Sequence, residues 1–276
     1  MMVLPRILLT NDDGIRAPGL WSLYHALKGL GEVIVVAPES MRSATGMSLT
    51  LHKPLRLKQV IHGGVRAYAV SGTPSDCIIL AVNRVLRGVK PDIIASGINE
   101  GENVSFQAIY GSGTVAAAVR AAIMGIPAAA FSLKLPESGP VGGGWLKARM
   151  DEAGPIAAEV VSWILEKGLP EGVDYLNVNF PERLSPSTPV RITSVYRARY
   201  REIVVERRDP KNRPYYWIHG KLLPRESFSM DSDVYSIFVE GAISISPMRF
   251  DASAPIGREP LNDLVMRLKS RRLFSQ

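Results

Sequence analysis

The chain has 276 residues, 46% hydrophobic and 21% charged, which excludes a disordered polymer and leaves room for one large domain, or one domain with an appendage, around a substantial core. Its net charge of +7 is unevenly spread: residues 183–225 hold 11 basic and 3 acidic groups, either a solvated basic surface or a field that attracts phosphate-bearing ligands. A single cysteine, Cys77, excludes an internal disulfide and, with four scattered histidines, a zinc cluster, so a reducing, cytoplasmic setting is expected.

The stretch Met1–Leu9 is apolar but short and interrupted by Pro5 and Arg6, so it reads as the start of the fold rather than an export signal. Ile7–Leu9 has the pattern of a strand covered on both faces. From Pro18, Leu20, Leu23, Tyr24, Leu27 and Leu30 recur at helical spacing, with proline suited to a first turn and Gly31 to a stop. The segment between, Asn11-Asp12-Asp13-Gly14, therefore puts two adjacent carboxylates in a strand-to-helix loop, where the ligand crevice of an open α/β sheet lies. They repel unless a cation lies between them, which fits a hard divalent ion such as Mg²⁺ or Mn²⁺. The alternative is that one aspartate caps the helix and the other is solvated.

Further strands are predicted at Val33–Ala37, Ala67–Val70, Ile93–Ser96, Ala128–Ser132 and Tyr175–Val178. Helical patterns at Cys77–Leu86, Thr114–Met124 and Glu152–Lys167 fall between several of them, which predicts an α/β fold with a mostly parallel sheet flanked by helices. The long apolar tract Val115–Phe131 contains Arg120, Gly125 and Pro127, so it reads as a helix followed by a strand and not as a membrane span. Pro136–Gly144 reads as a mobile surface loop.

After about Pro181 the texture changes, which divides the chain into a core, 1–182, and a β-rich extension, 183–276. Within the extension, Val190–Val205 and Tyr215–His219 flank the turn cluster Asp209–Pro214 and predict a hairpin suited to an oligomer arm. Val239–Ser246 reads as a returning strand ending at Pro247. Leu261, Leu264, Val265 and Leu268 form one face of an amphipathic tail helix.

Three more loops follow strands of the same sheet. Glu39–Gly46 offers hydroxyls to a hard metal, Ser43 among them. Ser96–Asn103 offers the neutral carbonyl of Asn99 between flexible glycines. Gly111-Ser112-Gly113-Thr114 runs into an alanine-rich helix, where backbone N–H groups and hydroxyls make an anion site, phosphate being the usual occupant; simple capping by Ser112 or Thr114 is the alternative.

Leu9–Ile15 with Ala17-Pro18-Gly19, Val36-Ala37-Pro38 with Arg42-Ser43, Ser71–Cys77, the Asn99 loop and Ser112-Gly113-Thr114, in this order, closely resemble the SurE (stationary-phase survival protein) family of nucleotidases. The resemblance continues through Leu176–Asn179, Tyr215-Tyr216-Trp217, Ser232-Asp233 and Glu240–Pro247, and so covers nearly the whole chain. It implies a Rossmann-like core and a divalent-metal-dependent phosphomonoester hydrolase, of 5′-nucleotidase or acid phosphatase type. Its substrates would be nucleoside 5′-monophosphates and, as a further class, 3′-monophosphates. One divalent cation per subunit is implied, Mg²⁺ or Mn²⁺, on Asp12, Asp13, Ser43 and Asn99. Asn11, Gly111, Ser112, Gly113 and Thr114 would bind phosphate. A homodimer or homotetramer built by exchange of the C-terminal hairpin and tail is implied as well. Glu39–Arg42 and Glu102–Gln107 depart from the family's usual pattern, both on the substrate side.

The expected mechanism has a metal-bound water attacking phosphorus in line, Asp12 doubling as the base, and the Gly111–Thr114 loop stabilising the transition state. A phospho-aspartate route ordinarily uses Asp-x-Asp, whereas here the acids are adjacent. A dinucleotide oxidoreductase would need Gly-x-Gly-x-x-Gly in the first turn. A nucleotide- or RNA-binding protein without turnover is the alternative, motivated by the aromatics and basic residues of 183–225, although nucleic acid is not the expected partner and aromatics in a hairpin commonly pack on a partner strand. Cys77 reads as a core residue, Asp76 as a helix cap, and Asp233 stays open between a structural part in the subunit exchange and a chemical role.

Overall fold

The computed structural model describes residues 4–136, 142–253 and 261–270. Its strands are β1 (Arg6–Thr10), β2 (Glu32–Pro38), β3 (Leu57–His62), β4 (Val65–Val70), β5 (Ile93–Glu100), β6 (Ala128–Leu133), β7 (Tyr175–Phe180), β8 (Val190–Ile192), β9 (Tyr200–Arg208), β10 (Pro214–Leu222) and β11 (Ile243–Met248). Nine of them form one sheet in the order β3-β4-β2-β1-β5-β6-β7-β11-β8. The stretch from β4 to β7 is parallel throughout, as the Rossmann-like reading expects. β3 closes one edge antiparallel to β4, and β11 returns antiparallel to β7 with β8 beyond it.

The helices are α1 (Pro18–Leu27), α2 (Pro74–Leu80), α3 (Phe106–Ile109), α4 (Gly113–Ile123), α5 (Gly143–Lys167), α6 (Asp233–Tyr235) and α7 (Asn262–Ser270). Alternation along the strands sends Ile7, Leu9 and Val35 into the layer under α1 and α5, and Leu8, Val36 and Ile94 into the layer under α2 and α4. Covering on both faces is why β6 and β7 are buried at every residue; β6 reads as an unbroken run of apolar and small residues, while Asn177 and Asn179 interrupt β7. β1 is the topological switch point: β2 follows it on one side and β5 adjoins it on the other, so the crevice opens beyond the carboxyl ends of β1 and β5.

Several boundaries differ from expectation. α5 starts nine residues before Glu152 and runs through Pro155, which mimics a first-turn proline; Gly143 and Gly144 thus belong to a helix, while 137–141 of the expected loop lie outside the described residues. Residues 236–240 form a wide helical turn stopped by Gly241 in the left-handed conformation, so Val239 and Glu240 are not strand. β11 instead passes through Pro247, whose nitrogen points to the side where β8 has already ended. The expected hairpin forms from β9 and β10, which pair as a separate two-stranded sheet, but its first arm begins at Tyr200; Val190–Ile192 of the expected arm is β8 of the main sheet. α7 follows the expected tail helix, and its residues through Lys269 are exposed. Among the described residues no helix is long and apolar enough to cross a membrane.

Candidate active site

The loop after β1 is fixed by its own asparagine. Asn11, fully buried, donates from Nδ2 to the Gly14 carbonyl at 3.1 Å and accepts from the Gly14 N–H at 3.2 Å. Gly14 has φ +105°, a conformation that favours glycine, and a Cβ there would lie 3.1 Å from the Ser40 carbonyl carbon. The turn presents the two carboxylates to different neighbours. Asp12 accepts from the Thr114 hydroxyl, and Asp13 accepts from the Glu100 N–H at 3.1 Å.

α4 reaches Asp12 because position 113 has no side chain: a Cβ on Gly113 would stand 2.7 Å from the Asp12 Cβ. Ser112 caps that helix by accepting from the Val115 N–H at 3.1 Å. The Gly113 and Thr114 amides favour the ionised form of Asp12, as does the positive end of the helix.

Electrostatically the acid pair is left uncompensated. Burial pushes the Asp12 carboxyl above the usual carboxylate range despite these hydrogen bonds. Burial, then the neighbouring Asp12 charge, pushes Asp13 up to about 7, with Glu100 adding to the repulsion and its own carboxyl raised by burial. Among the described residues no lysine or arginine lowers either aspartate.

Two neutral oxygens stand nearby. Asn99 donates from Nδ2 to the Gly101 carbonyl at 2.7 Å, which leaves its side-chain oxygen open; it follows a register shift between Ser96 and Asn99 that re-aims the end of β5. Ser43 lies on the loop after β2, pinned to the acid loop by the Arg42 N–H donating to the Asp12 carbonyl at 2.7 Å. Asp12, Ser43, Asn99, Gly111 and Ser112 line a single cleft of about 390 Å³. Asn11, Gly113 and Thr114 support this lining from behind. Among the described residues no three His, Cys, Asp or Glu side chains cluster as metal ligands. The available set is two carboxylates with neutral oxygens, and an unneutralised acid pair beside an open amide carbonyl suits a hard divalent cation.

The cleft also contains residues that sequence reasoning missed as site residues. Arg199, the cation of its lining, pairs with Glu102, the two side chains being 12% and 11% exposed. The Arg199 guanidinium lies 4.8 Å from the Tyr200 ring centroid and 5.6 Å from that of Phe238. Behind the same loop Asn103, Asn177, Asn179 and Ser132 form a buried amide network: Asn103 N–H donates to Asn179 Oδ1 at 2.7 Å, Asn103 Nδ2 to Ser132 Oγ at 2.8 Å, and Asn177 Nδ2 to the Asn103 carbonyl at 2.9 Å. Asp233, fully buried, accepts from the Ser105, Tyr196 and Val234 N–H groups at 2.7, 3.0 and 2.8 Å and so clamps the far end of the loop. These three bonds give Asp233 a structural part within the chain. Asp76 makes a reciprocal cap with Thr73, and Cys77 is buried in the core.

The protein-family comparison matches residues 7–202 to the family described as survival protein SurE. A protein of Methanothrix thermoacetophila named 5′-nucleotidase SurE is 42% identical over 262 residues, 94% of this chain and 98% of its own. A protein of the same name from Pyrobaculum arsenaticum is 44% identical over 253 residues, 90% of this chain and 91% of its own. The crystal structure of the SurE protein from Aquifex aeolicus superposes with a TM-score of 0.77 at 33% identity, covering 96% of this chain and all of that one.

Proposed function

The chain belongs to the SurE family, and from that premise we propose that it hydrolyses nucleoside 5′-monophosphates, and 3′-monophosphates as a further class, with one Mg²⁺ or Mn²⁺ ion per subunit. The single observation that carries the metal dependence is the Asp12–Asp13 pair, both raised by burial and Asp13 also by the Asp12 charge, with no basic side chain among the described residues to offset it. Asp12, Asp13, Ser43 and Asn99 are the residues that would hold the ion. When bound, a divalent cation supplies Lewis acidity toward the phosphoryl group and acidifies water.

The remaining chemistry belongs to the chain. Ser112 Oγ accepts from the Val115 N–H and so keeps its own O–H to donate to a phosphoryl oxygen, beside the Gly111 backbone. Arg199, held by Glu102, offsets charge on another oxygen of the same group. Asp12 takes the proton of a water that attacks phosphorus opposite the leaving ribose oxygen; the P–O ester bond breaks, the ribose oxygen takes a proton from solvent water, and nucleoside and phosphate leave as Asp12 returns its proton to solvent. Thr114 and Asn11 position this base, one by its hydrogen bond to the carboxylate and the other by closing the turn. We assign the core to residues 1–182 and the building of a dimer or tetramer to 183–276, whose hairpin and α7 expose Ile218 and Leu264. A cytoplasmic location accords with the one reduced, buried cysteine.

The test is phosphate release from a panel of 5′- and 3′-mononucleotides with Mg²⁺, Mn²⁺ or EDTA. Release should need the metal and fall at least ~1000-fold in Asp13→Asn with the fold intact. Turnover in EDTA, or near-normal turnover by Asp13→Asn, would overturn the assignment.

A further inference from the structure

We propose that Asp76 is a positioning residue for the cleft: through Thr50 it holds the segment that carries Ser43, and so sets how tightly the acid loop binds a divalent cation. The inference rests on the metal reading above, with Ser43 among the ligands.

The connection between β2 and β3, residues 39–56, has no helix or strand of its own. A connection of that length is ordinarily either functional or disordered, and this one is fastened along its course. Its ends are tied to the end of β4 and the turn before α2: the Glu39 N–H donates to the Val70 carbonyl at 2.8 Å, and the Arg56 N–H to Ser71 Oγ at 2.9 Å. Near its middle the Gly46 N–H donates to the Gly111 carbonyl at 2.9 Å. That approach needs glycine, since φ is +50° and a Cβ would stand 2.8 Å from the Tyr110 carbonyl oxygen. Ser43 and Ala44 are exposed, so their place is set by what holds the residues on either side.

Asp76 supplies a charged acceptor to this segment. As a helix cap it needs one oxygen: Oδ2 accepts from the Thr73 N–H at 2.9 Å, and Thr73 Oγ accepts in return from the Asp76 N–H at 3.2 Å. The same carboxylate also takes both donors of Thr50, 26 residues back along the chain, the N–H on Oδ1 at 3.1 Å and the hydroxyl on Oδ2 at 2.7 Å. Thr73 adds a further bond by donating its hydroxyl to the Ser48 carbonyl at 2.7 Å. Gly72 makes room, because a Cβ there would stand 2.4 Å from Asp76 Oδ2.

A cap works in solvent, so capping alone does not explain why Asp76 is 3% exposed. It is buried under the segment that it holds. Bonds to an ionised acceptor are about twice as strong as neutral ones, which suits a loop with no ladder to stiffen it. The Asp12 and Gly111 ends of the cleft are fixed by β1 and α4. Asp76 is the anchor from α2, and loosening it frees Ser43 relative to the acid loop without disturbing that loop.

Mn²⁺ binding is read from the electron paramagnetic resonance of the free ion, with wild type, Thr50→Val, Thr50→Ser and Ser43→Ala as full chains. Thr50→Val removes a bond to Asp76 and leaves the α2 cap whole, so a residue that only caps the helix predicts no change. We expect Mn²⁺ affinity about tenfold weaker in Thr50→Val, as is usual when a group that orients a metal ligand is lost, and restored in Thr50→Ser. Mononucleotide turnover by Thr50→Val should recover when Mn²⁺ is raised by the same factor. In the Ser43→Ala background Thr50→Val should add less than about twofold, because it acts through that hydroxyl. In metal-free protein the amides of 43–50 should exchange faster in Thr50→Val than in wild type, with α2 unchanged. Wild-type Mn²⁺ affinity in Thr50→Val would overturn the proposal, as would a tenfold loss that persists in full in the Ser43→Ala background. A wild type that binds no Mn²⁺ would overturn the metal reading and this proposal with it, whereas unchanged exchange at 43–50 would overturn the anchor alone.

Discussion

The cleft and the hairpin arm handle charge in opposite ways. At the cleft, Asp12 is buried in the lining and Asp13 half-buried beside it, answered by backbone N–H groups and a hydroxyl and left without a basic partner among the described residues. On the arm, Arg201, Arg207 and Lys221 are exposed in the single chain, and the register puts them on one face with Glu202 and Glu206 on the other. Burial makes the first arrangement costly to the fold, because desolvation penalises a charge that nothing neutralises. The second costs little, because water and salt screen it. Charge that weakens the fold therefore marks the place where a ligand must complete the structure, and charge that costs the fold little marks no site by itself.

The largest expected effect sharpens that contrast. Asp13 is raised from its ordinary value to about 7, so without metal it is neutral in folded and unfolded chains at low pH, and its cost accrues as pH rises through the interval from about 4 to 7. The metal-free protein should lose up to about 4 kcal/mol of stability across that interval, read by urea denaturation, and Asp13→Asn should abolish this part of the pH dependence. Asp233→Ala comes next: three backbone N–H groups lose their acceptor, at about 3 kcal/mol, whereas Asp233→Asn keeps an acceptor oxygen, removes a charge that burial disfavours, and should cost less by the same measurement. Arg199→Ala should lower kcat/KM for mononucleotides by about thirtyfold, near 2 kcal/mol, with partial recovery in Arg199→Lys, because the lysine keeps the charge and loses the fork. The smallest effect lies on the arm, where Arg201→Ala and Lys221→Ala should shift stability by less than about 0.5 kcal/mol; a larger loss would break the comparison.

Sequence alone reveals much of this molecule, for identifiable reasons. Doubly covered strands are mostly apolar on both sides, so β1, β2, β5, β6 and β7 stand out as runs; the Asp12–Asp13 loop follows β1 and Ser43 follows β2, while Asn99 lies inside β5, which runs on to Glu100, and Ser112 caps α4. β3 escapes notice because it is an edge strand, exposed at four of its six residues, whose apolar residues neither alternate nor form a continuous run. The start of α5 is hidden by Pro155, and the helical turn at 236–240 by an apolar run that looks like a strand. Arg199 is legible as charge but not as part of the cleft, since Glu102 and Gln107 meet it and its neighbours across more than 90 residues of chain. The asparagines of β7 look like polar lapses in a strand, and only the β6–β7 register explains why Asn177 and Asn179 face the Asn103 loop.

The central claim is that the acid pair is built for a divalent cation, and thermal unfolding at about pH 8, with Mn²⁺ or EDTA, tests it most directly in wild type and Asp13→Asn. The account predicts that Mn²⁺ raises the wild-type midpoint, that Asp13→Asn in EDTA melts above wild type in EDTA, and that the variant gains little from metal. A wild-type midpoint unmoved by Mn²⁺, together with an Asp13→Asn variant that melts lower in EDTA, would contradict it.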